Sequence, residues 1–78
     1  MKNNDNKFEW GDTARVKDIA PGNFRPGQIV SVCGITKIKS KILADKYHSN
    51  VGEWVYTIEY IGGSDTEIPE KYLEKYEN

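Results

Sequence analysis

The sequence predicts a small all-β fold: a five-stranded barrel, with a short helix or ordered loop inserted around residues 40–50 and a 3₁₀ turn near 69–72. Three observations carry this. Runs of alternating or β-branched residues recur along the chain. Gly/Pro turn marks separate them: Gly11-Asp12, Arg25-Pro26-Gly27 and Gly62-Gly63. Near the end, Ile68-Pro69-Glu70-Lys71-Tyr72-Leu73 joins a strand, a tight turn and a last apolar residue.

Residues 1–7 are polar and Asn-rich, and read as a disordered N-terminal arm before one domain spanning 8–78. The first strand is expected over Thr13–Ile19, with Ala14 and Val16 inward and Arg15 and Lys17 outward. Residues 20–27 form a loop with two turn pairs, Pro21-Gly22 and Pro26-Gly27, and Phe24 between them is expected to plug an open end of the barrel. A second strand, Gln28–Ile38, is rich in β-branched residues. Gly34 inside it suggests a bulge or sharp bend.

Ser40 is placed to N-cap a short helix through residues 41–47, with Ile42, Lys46 and Tyr47 near one face. One or two turns are marginal alone, so an ordered loop is the alternative. Residues 53–61 give the clearest strand. Trp54, Tyr56, Ile58 and Tyr60 share one face, and Val55, Thr57, Glu59 and Ile61 the other. Both faces carry apolar groups, which marks a central strand in which Tyr56, Ile58 and Tyr60 are not all expected to be buried. Gly62-Gly63-Ser64-Asp65 turns the chain into a short return strand, Thr66–Ile68. Pro69–Tyr72 then makes the 3₁₀ turn, and Leu73 starts the last strand.

This pattern resembles small bacterial SH3-like proteins with a "GD-x-V-R-V … P-G … G … Y-x-V-E-F … I-P … L" framework. The matching residues are Gly11–Val16, Arg25–Gly27, Tyr56–Tyr60, Ile68-Pro69 and Leu73. The framework is also similar to the SH3-like domain of the nitrile hydratase beta subunit and its activator proteins, with Ala44-Asp45 and Trp54–Tyr60 in comparable places. The resemblance implies an SH3-like barrel over roughly residues 8–76 and an accessory role beside a larger enzyme. It implies no activity here. The metal of that enzyme sits in a Cys-rich claw on the other subunit, and this chain carries no such claw. Val30 stands where such barrels often place Gly, and Ala14 where they often place Val.

Composition narrows the chemistry. In 78 residues there is one cysteine, Cys33, and one histidine, His48, so neither an internal disulfide nor a Cys/His zinc cluster is expected. Cys33 reads as a small buried apolar residue and His48 as an exposed loop residue. No signal-peptide core and no apolar run of about 20 residues is present, and the chain reads as cytoplasmic. Glycine-rich phosphate cradles are absent, because Gly62-Gly63 lacks the following Lys and helix. Glu67 and Glu70 flank the Ile68-Pro69 step as rim charges. No cofactor, metal or membrane is expected.

Eleven Lys/Arg oppose twelve Asp/Glu, unlike the basic excess usual in a nucleic-acid binder. Charge is nevertheless segregated: the stretch from Arg15 to Lys46 is mainly basic, and that from Glu53 to Glu77 mainly acidic. A barrel that gathers these sides would have a dipolar surface suited to a protein partner. Two Trp, five Tyr and two Phe exceed what so small a core holds, so some aromatics are expected on the surface. Trp10, Phe24, Tyr47, Trp54 and Tyr72 are the candidate binding residues for a protein partner. The competing reading is that they cap barrel ends and pack the insert.

The expectation is a non-enzymatic protein–protein interaction module, acting as an immunity-type inhibitor of a bacterial toxin or as an accessory of a larger enzyme. The alternative is a small nucleic-acid-binding barrel, using Arg15, Lys17, Arg25, Lys37, Lys39 and Lys41 with Trp10 or Phe24 as a charged stacking groove.

Overall fold

A computed structural model describes residues 5–76. Of the expected disordered arm, residues 1–4 lie outside this range. Asp5, Asn6 and Lys7 lie against the sheet, with Lys7 N–H donating to the Tyr56 hydroxyl.

Five antiparallel strands run in the order β4-β3-β2-β1-β5. They are β1 (Thr13–Val16), β2 (Ile29–Lys37), β3 (Trp54–Tyr60), β4 (Asp65–Pro69) and β5 (Leu73–Lys75). One helix, α1 (Lys41–Lys46), joins β2 to β3, and 3₁₀ turns occupy Gly22–Phe24 and Glu70–Tyr72. The all-β expectation holds, with the inserted helix and the terminal 3₁₀ turn in their expected places. β4 and β5 are the two edges of the sheet, yet Ile68 and Leu73 lie in one core with Val16, Val32 and Tyr56. The sheet therefore curls until its edges face each other, and the three-residue turn after Pro69 spans the gap.

β1 ends at Val16, three residues before the expected end. Ala14 and Val16 are buried as expected, but Ile19 is 75% exposed. The chain leaves the ladder because Ala20 N–H turns back to the Lys17 carbonyl.

β2 explains two features at once. Its pairing with β3 shifts between Val32 and Gly34. Cys33 is the extra residue of this bulge, and it is exposed rather than buried. The bulge also switches the inward parity: Val30 and Val32 point into the core before it, and Ile35 packs there after it. Gly34 sits opposite Thr57, where a β-carbon would stand 2.8 Å from Thr57 Oγ1 and 2.9 Å from Thr57 Cβ. The Thr57 side chain fills the space a β-carbon would need, which favours glycine there.

β3 is central, between β2 and β4. Tyr56, Ile58 and Tyr60 are all buried, against expectation. The opposite face does not compete for the same core. Ile61 falls in the β3–β4 turn and is 85% exposed, while Val55 joins a separate small cluster with Ile38 and Ala44 under α1. Gly62 and Gly63 make this turn with φ of 110° and 99°, values that only glycine adopts freely.

α1 is capped as the sequence suggested, with Ser40 Oγ accepting from Leu43 N–H at 3.3 Å. Its buried face is carried by Ala44, with Leu43 and Tyr47 beside it. Ile42, expected near one face with Lys46 and Tyr47, is 82% exposed, while Tyr47 packs on the cluster. The helix stops at His48, whose φ of 53° is left-handed. Ser49 N–H returns to the Ala44 carbonyl and His48 N–H to the Asp45 carbonyl, the paired bonds of a Schellman end with histidine where glycine is usual.

Candidate functional site

The 3₁₀ turn at Glu70–Tyr72, the start of β3 and the residues after α1 meet at one end of the sheet. They enclose a cleft of about 190 Å³ lined by Lys7, Glu53, Trp54, Pro69, Glu70 and Lys71, with Ser49 at its rim. Pro69 is buried in β4 and half-buried Trp54 opens β3, so both apolar walls stand on strands. Val55 pairs with Pro69 across the ladder, which places Trp54 and Glu70 beside each other at the strand ends.

Two of the lining residues, Lys7 and Glu70, are held by one hydroxyl behind them. Tyr56, fully buried, donates to Glu70 Oε2 at 2.5 Å and accepts from Lys7 and Phe8 N–H at 3.1 and 3.3 Å. Lys7 N–H also donates to Glu70 Oε2 at 2.9 Å. Burial and the Glu70 hydrogen bond both push the Tyr56 phenol well above its usual value. Phe8 packs edge-on against the Tyr56 ring, with centroids 5.3 Å apart, and is itself buried. The N-terminal segment is thus anchored by Phe8 and passes over the cleft through Lys7.

The Trp54 indole is held from two sides. Its Nε1–H donates to Asp5 Oδ1 at 2.5 Å, and Lys37 Nζ stands 5.5 Å from the ring centroid. The Trp54 hydrogen bond holds the Asp5 carboxyl below its ordinary value, and Lys37 adds to this. On the far wall, Lys71 Nζ donates to the His48 carbonyl and lies 5.3 Å from the Tyr72 ring centroid.

The five aromatic candidates do not form one stripe. Trp54 lines the cleft. Phe24 and Tyr72 pack together with centroids 5.8 Å apart, both half-buried against the core, and the Phe24 carbonyl accepts from the Tyr60 hydroxyl at 2.8 Å. Lys71 links that pair to the cleft. Tyr47 packs beside α1 and donates to Glu67 Oε1 at 2.6 Å, which with partial desolvation pushes its phenol up to about 12. Trp10 stands apart in the turn before β1, 72% exposed.

Three of the basic residues proposed for a nucleic-acid groove contact other side chains of the fold. Arg15 pairs with Glu74 at 2.6 Å and Asp18 at 2.9 Å. Arg25 lies 4.5 Å from the Tyr60 ring centroid, and Lys41 lies 3.6 Å from Asp45. Among the described residues, no group of three or more His, Cys, Asp or Glu side chains is placed to hold a metal ion, and no helix is long and apolar enough to cross a membrane.

Sequence reasoning missed Lys7, Glu53, Pro69, Glu70 and Lys71 as cleft residues, and Asp5 and Lys37 as partners of the Trp54 indole. Pro69 was legible as part of a turn, and Glu70 as part of that turn and as a rim charge. Asp5 and Lys7 lie in a polar stretch without periodicity, which carries no local signal of where it docks. Comparison of the chain with protein-family models, with characterised proteins and with solved structures finds no match to any of the three.

Proposed function

We propose that this chain is a non-enzymatic protein-interaction module on an SH3-like barrel, binding a segment of a partner protein in the Trp54–Pro69 cleft. One observation carries the reading: a half-exposed tryptophan, fixed at its edge by Asp5 and flanked by Lys37, faces a buried proline across a cleft rimmed by charges of both signs. Rigid aromatic area beside satisfied polar groups is the usual make-up of a peptide-binding hot spot. Mixed rim charge suits a polypeptide better than a uniformly anionic backbone. Pairing of Arg15 with Glu74 and Asp18 further favours a protein partner over nucleic acid.

Two roles fit such a module: occluding an effector in the manner of an immunity protein, or acting as an accessory of a larger enzyme, in line with the activator resemblance. A pull-down from the native cell with the full chain tests the reading. The expected result is a stoichiometric partner lost on Trp54→Ala and retained on Trp10→Ala. A partner that survives Trp54→Ala moves the interface elsewhere and overturns the cleft assignment.

A further inference from the structure

Resting on that reading, we propose that the chain's own N-terminal segment occupies the partner's seat, and that the partner presents an acidic side chain to the Trp54 indole N–H and the Lys37 ammonium in place of Asp5. Three observations lead here. The seat already holds a carboxylate: Asp5 Oδ1 accepts from Trp54 Nε1 at 2.5 Å, with Lys37 beside the ring. The contact is exposed and lies three residues from Phe8, the buried anchor, so the segment can lift without opening the core. The residue between is poorly satisfied in the docked position. Asn6 is 7% exposed, and although its Nδ2 donates to the Phe8 carbonyl at 2.7 Å, its Oδ1 has no hydrogen-bond partner among the described residues. A buried orphan acceptor opposes docking, because lifting the segment returns it to water.

The seat's chemistry selects its occupant. One indole N–H and one ammonium match a single carboxylate. The adjoining cleft carries Glu53 and Glu70 as well as Lys7 and Lys71. A phosphodiester strand laid along it would meet those carboxylates at every step, whereas a peptide with one aspartate or glutamate and mixed neighbours would not. The segment therefore acts as an intramolecular competitor that lowers apparent affinity by the fraction of time it is seated.

The test follows the two indole N–H resonances of the full chain, assigned with Trp10→Phe. The probes are a blocked tetrapeptide, Gly-Asp-Asn-Gly, and its neutral counterpart, Gly-Asn-Asn-Gly. In Asp5→Ala, the aspartyl peptide is expected to shift the Trp54 indole with an apparent affinity about tenfold tighter than in the unaltered chain, the scale of one charge-assisted hydrogen bond. Neutral peptide is expected to bind about tenfold more weakly than acidic, and Lys37→Ala to narrow that preference. Because Asp5 is exposed, the remaining resonances stay in place and verify the fold. Equal response to both peptides, or no gain on Asp5→Ala, overturns the inference, as does an oligonucleotide that shifts the indole more strongly than the acidic peptide. If the cellular partner is lost on Trp54→Ala but its affinity is unchanged by Asp5→Ala, the module stands and the competing segment falls. If the partner survives Trp54→Ala, the module reading itself fails.

Discussion

The Tyr56 hydroxyl donates to Glu70 Oε2 at 2.5 Å and accepts from the backbone of Lys7 and Phe8, so one buried side chain of β3 ties the N-terminal segment to the 3₁₀ turn. Tyr56→Phe keeps the ring and removes the tie. It leaves the Phe8 N–H without its acceptor and Glu70 without the phenol donor, while the Lys7 N–H keeps its bond to Glu70, at a cost of about 1–3 kcal/mol. Glu70→Gln retains an acceptor for the hydroxyl and should cost less. Urea unfolding of both variants measures this, and a Tyr56→Phe midpoint equal to the parent's would remove the tie's importance.

Gly34 faces Thr57 with no room for a β-carbon. Gly34→Ala must push β2 from β3 at the centre of the sheet, and the expected loss is about 1–3 kcal/mol. The clash is with the Thr57 side chain, so the same substitution in a Thr57→Gly background should cost clearly less. A double-mutant cycle with no coupling would show that Gly34 is required for bulge geometry instead.

How far the sequence carried the fold depends on whether the controlling interaction was local. Ser40, Gly62-Gly63 and Pro69 act within a few residues of themselves, and the helix cap, the hairpin and the 3₁₀ turn were legible from them. Cys33 was misread because a bulge changes which side of the strand each residue faces, and only pairing with β3 shows where the extra residue falls. Tyr56, Ile58 and Tyr60 were undercounted in the core because Val55 has its own cluster beneath α1, a division made by tertiary packing. For the cleft, Trp54 was legible as a surface aromatic. Its acidic partner Asp5, 49 residues away, was not.

His48 ends α1 in the left-handed region, φ 53°, while its neighbours complete the Schellman bonds. A non-glycine residue there costs about 1–2 kcal/mol, and part of the gain on replacing it is offset by the greater freedom of glycine in the unfolded chain. His48→Gly is therefore expected to stabilise by about 0.5 kcal/mol, seen as a higher thermal midpoint. A lower midpoint would mean that the imidazole makes a favourable interaction of its own.

Alkaline pH should loosen the fold in a defined window. The Tyr47 phenol is raised from 10.0 to about 12 by its hydrogen bond to Glu67, and the Tyr56 phenol is raised by burial and by Glu70. For groups whose folded value is raised, the stabilisation is complete below the unfolded value near 10 and is lost as pH climbs toward the folded one. Stability should be flat up to pH 9 and fall from pH 10 to 12, and Tyr47→Phe should remove the component belonging to Tyr47. Phenolate absorbance followed against pH checks the order, with Tyr47 ionising later in the folded chain than in urea.

Acid acts on the Trp54 seat in the opposite sense. The indole hydrogen bond holds Asp5 below 3.8, and Lys37 adds to this. A group with a depressed folded value contributes its stabilisation above the unfolded value, near 3.8, and loses it as pH falls through the folded one. The docked segment should therefore remain seated at pH 5 and release only below pH 3.8. The Trp54 indole resonance reports this directly: its midpoint should lie below 3.8, move up toward 3.8 in Lys37→Ala, and lose its pH response in Asp5→Asn. A midpoint at or above 3.8 in the unaltered chain would mean that the carboxylate gains nothing from Trp54, and the seat would then have no selectivity for an acidic partner.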